Sequence, residues 1–289
     1  MKKTVLYISW IILIIIILIF NVKLNLEKPK LQYENSLDLN KKGIDPSNDD
    51  FFIDKGNKIG VIIVHGLAAS PYQTKELADF LAERNITVYS IRVEGHGTNI
   101  SDFESKTRSD WYQGVKYKYD LAKSKTKKLY VIGISSGALL ALQLAEQENV
   151  DGVVAIAAPL YLKDWKINLL PIISLYQRYH HFGVDKTQVG HAYENVPTET
   201  LSQFRNLVWA TINGLQYITE PTMIIQSTKD QLVQPKSAEY AFNKINATKE
   251  KLLMTNVNHA VIRAYENEPK TGKEERQKVF NEIYNFILQ

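Results

Sequence analysis

The serine at position 135 stands in a Gly-x-Ser-x-Gly motif formed by residues 133–137. An apolar run at 129–132 precedes the motif, and a helical pattern follows it directly. In such a sharp strand-to-helix turn the serine takes a strained backbone conformation, and the glycines let strand and helix approach each other. The motif predicts that Ser135 is a nucleophile. The alternative is a glycine-bounded turn with an idle serine.

A serine hydroxyl is a weak nucleophile at neutral pH, so this prediction requires a histidine base and a carboxylate that orients the histidine. Asp230 follows an apolar run at 223–225, and His259 follows another at 252–254. Taken alone, Asp230 is typical of a turn and His259 of an exposed loop. Because parallel strands deliver the residues after them to one edge of a sheet, we expect Ser135, Asp230 and His259 to form a catalytic triad there.

A His-Gly-Leu loop follows the apolar run at 59–64 and precedes a helix that we predict to start near Pro71. A tetrahedral intermediate needs two N–H donors, which we assign to the backbone of Leu67 and of Ser136, the residue after the nucleophile. We expect His65 to be a structural turn residue, and we predict no catalytic role for His96.

Short apolar runs rich in β-branched residues alternate with helical patterns beyond about residue 51. The predicted strands are residues 59–64, 86–91, 129–132, 153–157, 223–225 and 252–254. The predicted helices are residues 72–83, 111–123, 138–147, 238–245 and 274–288. This alternation predicts an α/β fold with a mostly parallel central sheet that carries helices on both faces.

Residues 161–220 interrupt the alternation with helical fragments and no clear strand, so we predict a small cap inserted on the sheet. The cap contains apolar residues that line a pocket or pack in the core: Trp165, Leu169, Leu170, Ile172, Ile173, Leu175 and Tyr176. Three cap histidines lack an acidic partner at metal-ligand spacing, so we expect them to be solvated and predict no metal site: His180, His181 and His191.

Together these motifs resemble the bacterial carboxylesterase and monoacylglycerol lipase group of the α/β-hydrolase superfamily over about residues 57–289. The matching segments are residues 65–67, 92–98, 133–137, 226–230 and 258–259. The order of nucleophile, acid and histidine is that of the superfamily. The resemblance implies an α/β-hydrolase fold and hydrolysis of a small-molecule or lipid ester through an acyl-serine, without a cofactor. Leu67 and Ser136 depart from it, since relatives often carry an aromatic and a larger residue there.

The predicted function is a serine carboxylesterase that acts on acyl esters such as monoacylglycerols or related lipids. The same triad also serves acyltransferases and amidases, which are the alternatives. A non-catalytic tethered binding module is a further alternative, against which the complete triad in the expected order argues. The sequence makes no prediction of oligomeric state.

An uncharged run dominated by Ile and Leu occupies residues 4–20, after Lys2 and Lys3. A helix of that length spans about 25 Å, near the lower limit for a bilayer core of about 30 Å. No small-residue cleavage step follows, which favours a signal anchor over a cleaved signal peptide. The length and the flanking residues of the run favour an anchor over a buried core helix. We predict a membrane anchor at 1–22, a tether at 23–50 and an α/β-hydrolase domain at 51–289 that lies outside the cytoplasm.

Composition excludes several classes of protein. The 289 residues are 45% hydrophobic and 23% charged, which is typical of a globular chain rather than a disordered or collagen-like one. The absence of cysteine excludes disulfides, cysteine-zinc sites and a cysteine nucleophile. The net charge is only +4 and no basic stripe is present, so nucleic acid is not an expected partner.

Overall fold

A computed structural model describes residues 45–56, 58–247, 250–259, 261–263 and 270–289. The predicted anchor at residues 1–22 and residues 23–44 of the predicted tether lie outside the described residues. Within the described ranges, no helix combines the length and the apolar character needed to cross a membrane.

The strands alternate with helices along most of the described chain. The strands are β1 (Phe51–Ile53), β2 (Ile59–Val64), β3 (Thr87–Ile91), β4 (Lys128–Ile134), β5 (Gly152–Ile156), β6 (Tyr179–His181), β7 (Asn195–Pro197), β8 (Thr222–Ser227) and β9 (Glu250–Thr255). Seven of them form one sheet in the order β1-β3-β2-β4-β5-β8-β9. Neighbours in this sheet run parallel except β1 and β3. The predicted mostly parallel sheet is therefore confirmed.

Helices cover both faces of this sheet. They are α1 (Lys75–Ala82), α2 (Ile100–Ser105), α3 (Arg108–Lys123), α4 (Ser136–Gln147), α5 (Leu170–Ile173), α6 (Thr198–Gly214), α7 (Lys236–Lys244) and α8 (Lys270–Ile287). On β2, Val61 and Ile63 pack in a core shared with α1 and α8, whereas Ile62 and Val64 pack in a core shared with α3 and α4. Such two-sided burial explains the continuous apolar runs from which the strands were predicted.

Some local predictions need correction. The predicted helix at 72–83 begins as a 3-10 turn, Pro71–Thr74, and continues as α1. Helix α2 was not predicted because it has only six residues; the Asn99 side chain caps it by accepting from the N–H of Asp102 at 2.8 Å. Strand β1 was not predicted either, since it has only three residues and its burial alternates.

The cap segment at 161–220 lies between β5 and β8 and contains α5, α6 and the antiparallel pair of β6 and β7. The cap therefore contains two strands, although its sequence showed no clear strand. Each cap strand has three residues, and a pattern that short does not separate a strand from a loop.

Candidate active site

Ser135 occupies the turn between β4 and α4, with φ of 55° and ψ of −119°. A positive φ is unfavourable for a residue with a side chain and persists only where the surrounding structure holds it. The backbone N–H of Ser135 donates to the carbonyl oxygen of Ile156 on the neighbouring strand, at 2.8 Å. The strained turn predicted from the sequence is present.

The glycines on either side of this turn allow a close contact of backbones. A Cβ added to Gly133 would lie 2.1 Å from the carbonyl oxygen of Gly137. A Cβ added to Gly137 would lie 2.3 Å from the carbonyl oxygen of Val64 on β2. Neither position has room for a side chain, so the motif glycines place the start of α4 directly against the sheet.

His259 and Asp230 meet at the carboxyl edge of two neighbouring parallel strands. Asp230 follows β8 and His259 follows β9, as predicted. Nδ1 of His259 lies 2.6 Å from Oδ2 of Asp230. The Asp230 side chain is fully buried, and the His259 side chain is 16% exposed. With Nδ1 held by the carboxylate, Nε2 of His259 is the nitrogen that remains to act as a base.

The environment of Asp230 keeps its carboxylate ionised. Oδ1 accepts the backbone N–H groups of Leu232 and Val233 at 2.8 and 2.9 Å, and Oδ2 also accepts Nε2 of Gln226 at 2.9 Å. Burial raises the pKa of Asp230, but the hydrogen bond and charge of His259 and the two backbone N–H groups outweigh it and lower the pKa below the ordinary value. The carboxylate is therefore fixed in place and charged at neutral pH.

A cavity of about 830 Å³ lies at the candidate site. Ser135 and His259 both line it, with Asp230 buried behind His259. Its other walls come from the loop after β2, the segment after β8 and the cap. The larger apolar side chains that line it are Leu67, Leu162, Ile167, Leu170, Ile173, Tyr176, Phe182, Val184, Tyr193, Val196, Leu201, Phe204, Leu232 and Val233. The cavity wall is predominantly apolar and also carries polar and charged side chains, a combination that small-molecule sites show.

The predicted oxyanion donors lie at this cavity or beside it. Leu67 lines the cavity, and its backbone N–H has no hydrogen-bond partner within the described part of the chain. Ser136 is the first residue of α4, where a backbone N–H has no acceptor in its own helix. Both N–H groups are thus available to a ligand, while their role as an oxyanion hole stays a prediction.

His65 has a structural environment. It is fully buried, its Nε2 accepts the backbone N–H of Val93 at 3.1 Å, and its Nδ1 therefore donates to the carbonyl oxygen of Gly66 at 2.8 Å. Burial, with a further contribution from His96, holds the pKa of His65 well below its ordinary value. His65 is neutral and joins two loops, as a turn residue would.

Six of the seven apolar cap residues separate into two groups, and Leu169 is half-buried and does not line the cavity. Leu170, Ile173 and Tyr176 line the cavity, as expected for pocket residues. Three others are largely exposed and neither line the cavity nor pack in the core: Trp165, Ile172 and Leu175.

The cap histidines differ from the solvated residues that were expected. His181 is exposed, but His180 lines the cavity and His191 stacks on Tyr72 with ring centroids 3.6 Å apart. Two of the three histidines therefore belong to packed parts of the cap.

Three polar residues at the site were not singled out from the sequence. Gln226 holds Asp230, Gln73 lines the cavity beside Gly66, and Arg263 lines the cavity and pairs with Asp185 of the cap at 3.6 Å. Gln226 lies near the end of a strand that precedes a candidate residue, which was the available signal. No local pattern marks the other two.

Comparisons with known proteins identify the family of the chain. The model of the alpha/beta hydrolase family matches residues 61–267. A thermostable monoacylglycerol lipase from Bacillus sp. (strain H-257) is 30% identical over 207 residues, which are 70% of this chain and 82% of the relative. A carboxylesterase from Bacillus subtilis (strain 168) is 24% identical over 241 residues, which are 82% of this chain and 95% of the relative.

Solved structures extend the comparison to the fold. A structure from a study of the metagenome-derived lipolytic enzymes LipS and LipT has a TM-score of 0.75 at 23% identity and covers 84% of this chain and 98% of its own. The monoacylglycerol lipase of Paleococcus ferrophilus has a TM-score of 0.68 at 14% identity, with coverage of 82% and 98%. The predicted fold and the prediction of a hydrolase enzyme are confirmed. The chain belongs to the alpha/beta hydrolase family.

Proposed function

We propose that this protein is a serine carboxylic-ester hydrolase with Ser135 as its nucleophile. The observation that carries the proposal is the pairing of His259 with the buried carboxylate of Asp230 at the cavity that Ser135 also lines. Nucleophile, base and orienting carboxylate are the three groups that acyl transfer through a serine requires. The strained turn at Ser135 adds support, because strain of this kind concentrates at functional sites.

The proposed reaction has two halves. Oγ of Ser135 attacks the ester carbonyl carbon while Nε2 of His259 takes the hydroxyl proton. The resulting oxyanion is stabilised by the N–H groups of Leu67 and Ser136. The carbon–oxygen bond to the alcohol then breaks, His259 gives its proton to the leaving alcohol, and an acyl-serine remains.

In the second half, His259 takes a proton from water as the water oxygen attacks the acyl-serine carbonyl. The tetrahedral intermediate collapses, the bond to Oγ breaks, and the proton returns to Oγ with release of the carboxylic acid. Asp230 stays ionised throughout and stabilises the imidazolium form of His259.

We propose acyl esters such as monoacylglycerols or related lipids as the substrate class. The apolar wall of the cavity supports an acyl chain as part of the ligand. The relatives named as a monoacylglycerol lipase and as a carboxylesterase support the same class.

Hydrolysis of an ester series tests the proposal. Full-length protein in detergent is assayed on p-nitrophenyl esters of increasing chain length and on monoacylglycerol, beside Ser135→Ala. We expect hydrolysis by the wild type and a loss of at least about 10³-fold in the variant. Equal activity of the two proteins would contradict the role of Ser135.

Product analysis separates the other activities of the same triad. The assay is repeated with a competing alcohol and with an amide analogue of the best ester. We expect free acid as the main product and slow amide cleavage. Predominant transfer to the alcohol, or faster cleavage of the amide, would assign an acyltransferase or an amidase instead. A folded protein that acts on none of these substrates would favour the binding module.

We further propose that residues 4–20 anchor the protein in the cell membrane, with the catalytic domain outside the cytoplasm. The uncharged run and the lysines before it support this location. Carbonate extraction should leave the protein in the membrane pellet, and protease added to intact cells should remove the domain. Release by carbonate would contradict the anchor, and protection from protease would contradict the orientation.

A further inference from the structure

Gln73 lies in the 3-10 turn Pro71–Thr74, just after the loop that carries Leu67. Its Oε1 accepts the backbone N–H of Gly66 at 2.8 Å, and its side chain lines the cavity. Because the Gly66 N–H is a donor, the carbonyl end of the Gln73 amide must face it, and Nε2 points the other way. A side chain from the following turn thus holds the first peptide group of the loop.

The next peptide group of the loop is held as well. The carbonyl oxygen of Gly66 accepts from Nδ1 of His65 at 2.8 Å and from the N–H of Ala69 at 3.3 Å. In a planar trans peptide the N–H of Leu67 points opposite to this carbonyl. With both peptide planes fixed, the direction of the Leu67 N–H is determined before any substrate binds.

The amide of Gln73 also lies near the nucleophile. The position that a Cβ on Gly66 would occupy is 3.4 Å from Oε1 of Gln73 and 3.4 Å from Cβ of Ser135. An amide oxygen accepts the Gly66 N–H without placing a full negative charge beside the carbonyl oxygen of a bound ester. A carboxylate at this position would oppose the developing oxyanion.

We propose that Gln73 is a positioning residue for the oxyanion hole, acting through the Gly66 N–H as a neutral acceptor. This inference rests on the proposed esterase function. Gln73 should stabilise the tetrahedral intermediate and have little effect on the binding of the intact ester. The reason is that the geometry of the loop matters most when the oxyanion forms.

The test compares Gln73→Met and Gln73→Glu with the wild type and with Gln203→Met. Gln203 is a matched control, since its Oε1 accepts the backbone N–H of Arg108 at 3.2 Å on the protein surface, away from the cavity. For each protein we measure kcat and KM on the best ester. Inhibition constants follow for an acyl trifluoromethyl ketone, which forms a tetrahedral adduct, and for the matching secondary alcohol, which does not.

We expect Gln73→Met to lower kcat by about 10- to 100-fold with KM within about threefold. The inhibition constant of the trifluoromethyl ketone should increase by a similar factor, and that of the alcohol by less than about threefold. Gln73→Glu keeps an acceptor for Gly66, so it should keep the wild-type melting temperature while losing at least as much kcat. Gln203→Met should match the wild type.

Wild-type kcat in either Gln73 variant would overturn the proposal, and so would equal weakening of both inhibitors. If Gln73→Met does not fold, Gln73→Glu decides alone. A wild type that hydrolyses no ester would overturn the proposed function and this inference together, whereas an active wild type with active Gln73 variants overturns the inference only.

Discussion

Nδ1 of His259 lies 2.6 Å from Oδ2 of Asp230, although 28 residues separate them in the chain. The contact exists because β8 and β9 are neighbouring parallel strands whose carboxyl ends release both residues at one edge of the sheet. Four donors surround the Asp230 carboxylate, so its position does not depend on His259 alone. The imidazole is thereby oriented by a fixed charge.

Replacing Asp230 with asparagine should damage catalysis more than folding. An asparagine amide keeps an acceptor for the backbone N–H groups but places an N–H₂ group opposite Nδ1, which favours the wrong tautomer of His259. We expect kcat to fall by about 10³- to 10⁴-fold with little change in KM. Steady-state kinetics of Asp230→Asn measure the loss.

Asp151→Asn is the matched control, because Asp151 accepts the N–H of Leu129 at 2.8 Å away from the cavity. It should keep the wild-type kcat. An Asp230→Asn enzyme within tenfold of the wild type would mean that His259 does not need this carboxylate.

A methyl group at position 137 should destabilise the whole fold. The added Cβ of Gly137→Ala would lie 2.3 Å from the carbonyl oxygen of Val64, so α4 would have to move away from the sheet. We expect a loss of about 3 kcal/mol or more in the free energy of unfolding. Urea denaturation checks it, with Gly183→Ala as the control, since nothing lies within 4 Å of a Cβ there. Equal midpoints for the two variants would refute the close contact.

The sequence predicted the sheet well because burial on both faces leaves a strong local pattern. Strand β2 (Ile59–Val64) was predicted with its observed bounds, and each of its last four residues has an apolar side chain. Strands β1, β6 and β7 were not predicted, because three residues with mixed exposure carry too little pattern. Their pairing depends on long-range contacts that no local segment encodes.

The residues of the candidate site likewise include some that could be predicted from the sequence and some that could not. Ser135, Asp230 and His259 could be placed at one edge because each follows an apolar run, and strand topology brings such positions together. The contacts of Gln73 and Gln226 could not be predicted. Their side chains bind a backbone N–H and the Asp230 carboxylate, which only the folded chain brings near, and the place of Gln226 near a strand end does not identify its partner.

Asn48 links three segments and should be important for stability. It is fully buried, its Oδ1 accepts from Oγ of Ser70 at 2.7 Å and from Nδ1 of His191 at 2.9 Å, and its Nδ2 donates to the carbonyl of Gly190 at 2.9 Å. Asn48→Ala leaves these partners unpaired, which should cost about 2 to 3 kcal/mol.

Thermal and urea unfolding measure this cost. The control is Asn246→Ala, because Asn246 is exposed and, among the described residues, its side chain makes one hydrogen bond, to the carbonyl of Gln216 at 2.8 Å. We expect Asn246→Ala to lower the free energy of unfolding by less than about 0.5 kcal/mol. A small effect at both positions would mean that Asn48 does not join the N-terminal segment to the cap.

The free energy of unfolding should decrease as the pH decreases, because two histidines are fully buried in their neutral form. Burial lowers the pKa of His96 to about 4 and holds that of His65 well below its ordinary value near 6.5. Below about pH 6.5 the unfolded chain gains protons that the native state does not take up. Each histidine should therefore cost up to about 1.4 kcal/mol per pH unit until its folded pKa is reached.

Urea denaturation at intervals from pH 7 to pH 4.5 measures this slope. A His96→Asn variant should lose stability less steeply over the same range, because one fully buried histidine that resists protonation is gone. An unchanged slope in the variant would show that His96 takes up its proton in the folded state as readily as in the unfolded state.

The most direct test of the proposed serine nucleophile is to identify the residue that a covalent serine probe modifies. Full-length protein is treated with a fluorophosphonate, and the labelled peptide is identified by mass spectrometry, with Ser135→Ala treated in parallel. We expect one phosphonyl group on Ser135, loss of ester hydrolysis in proportion to labelling, and no label on the variant. An unlabelled Ser135 in an active, folded enzyme would contradict it, as would hydrolysis that persists after complete labelling.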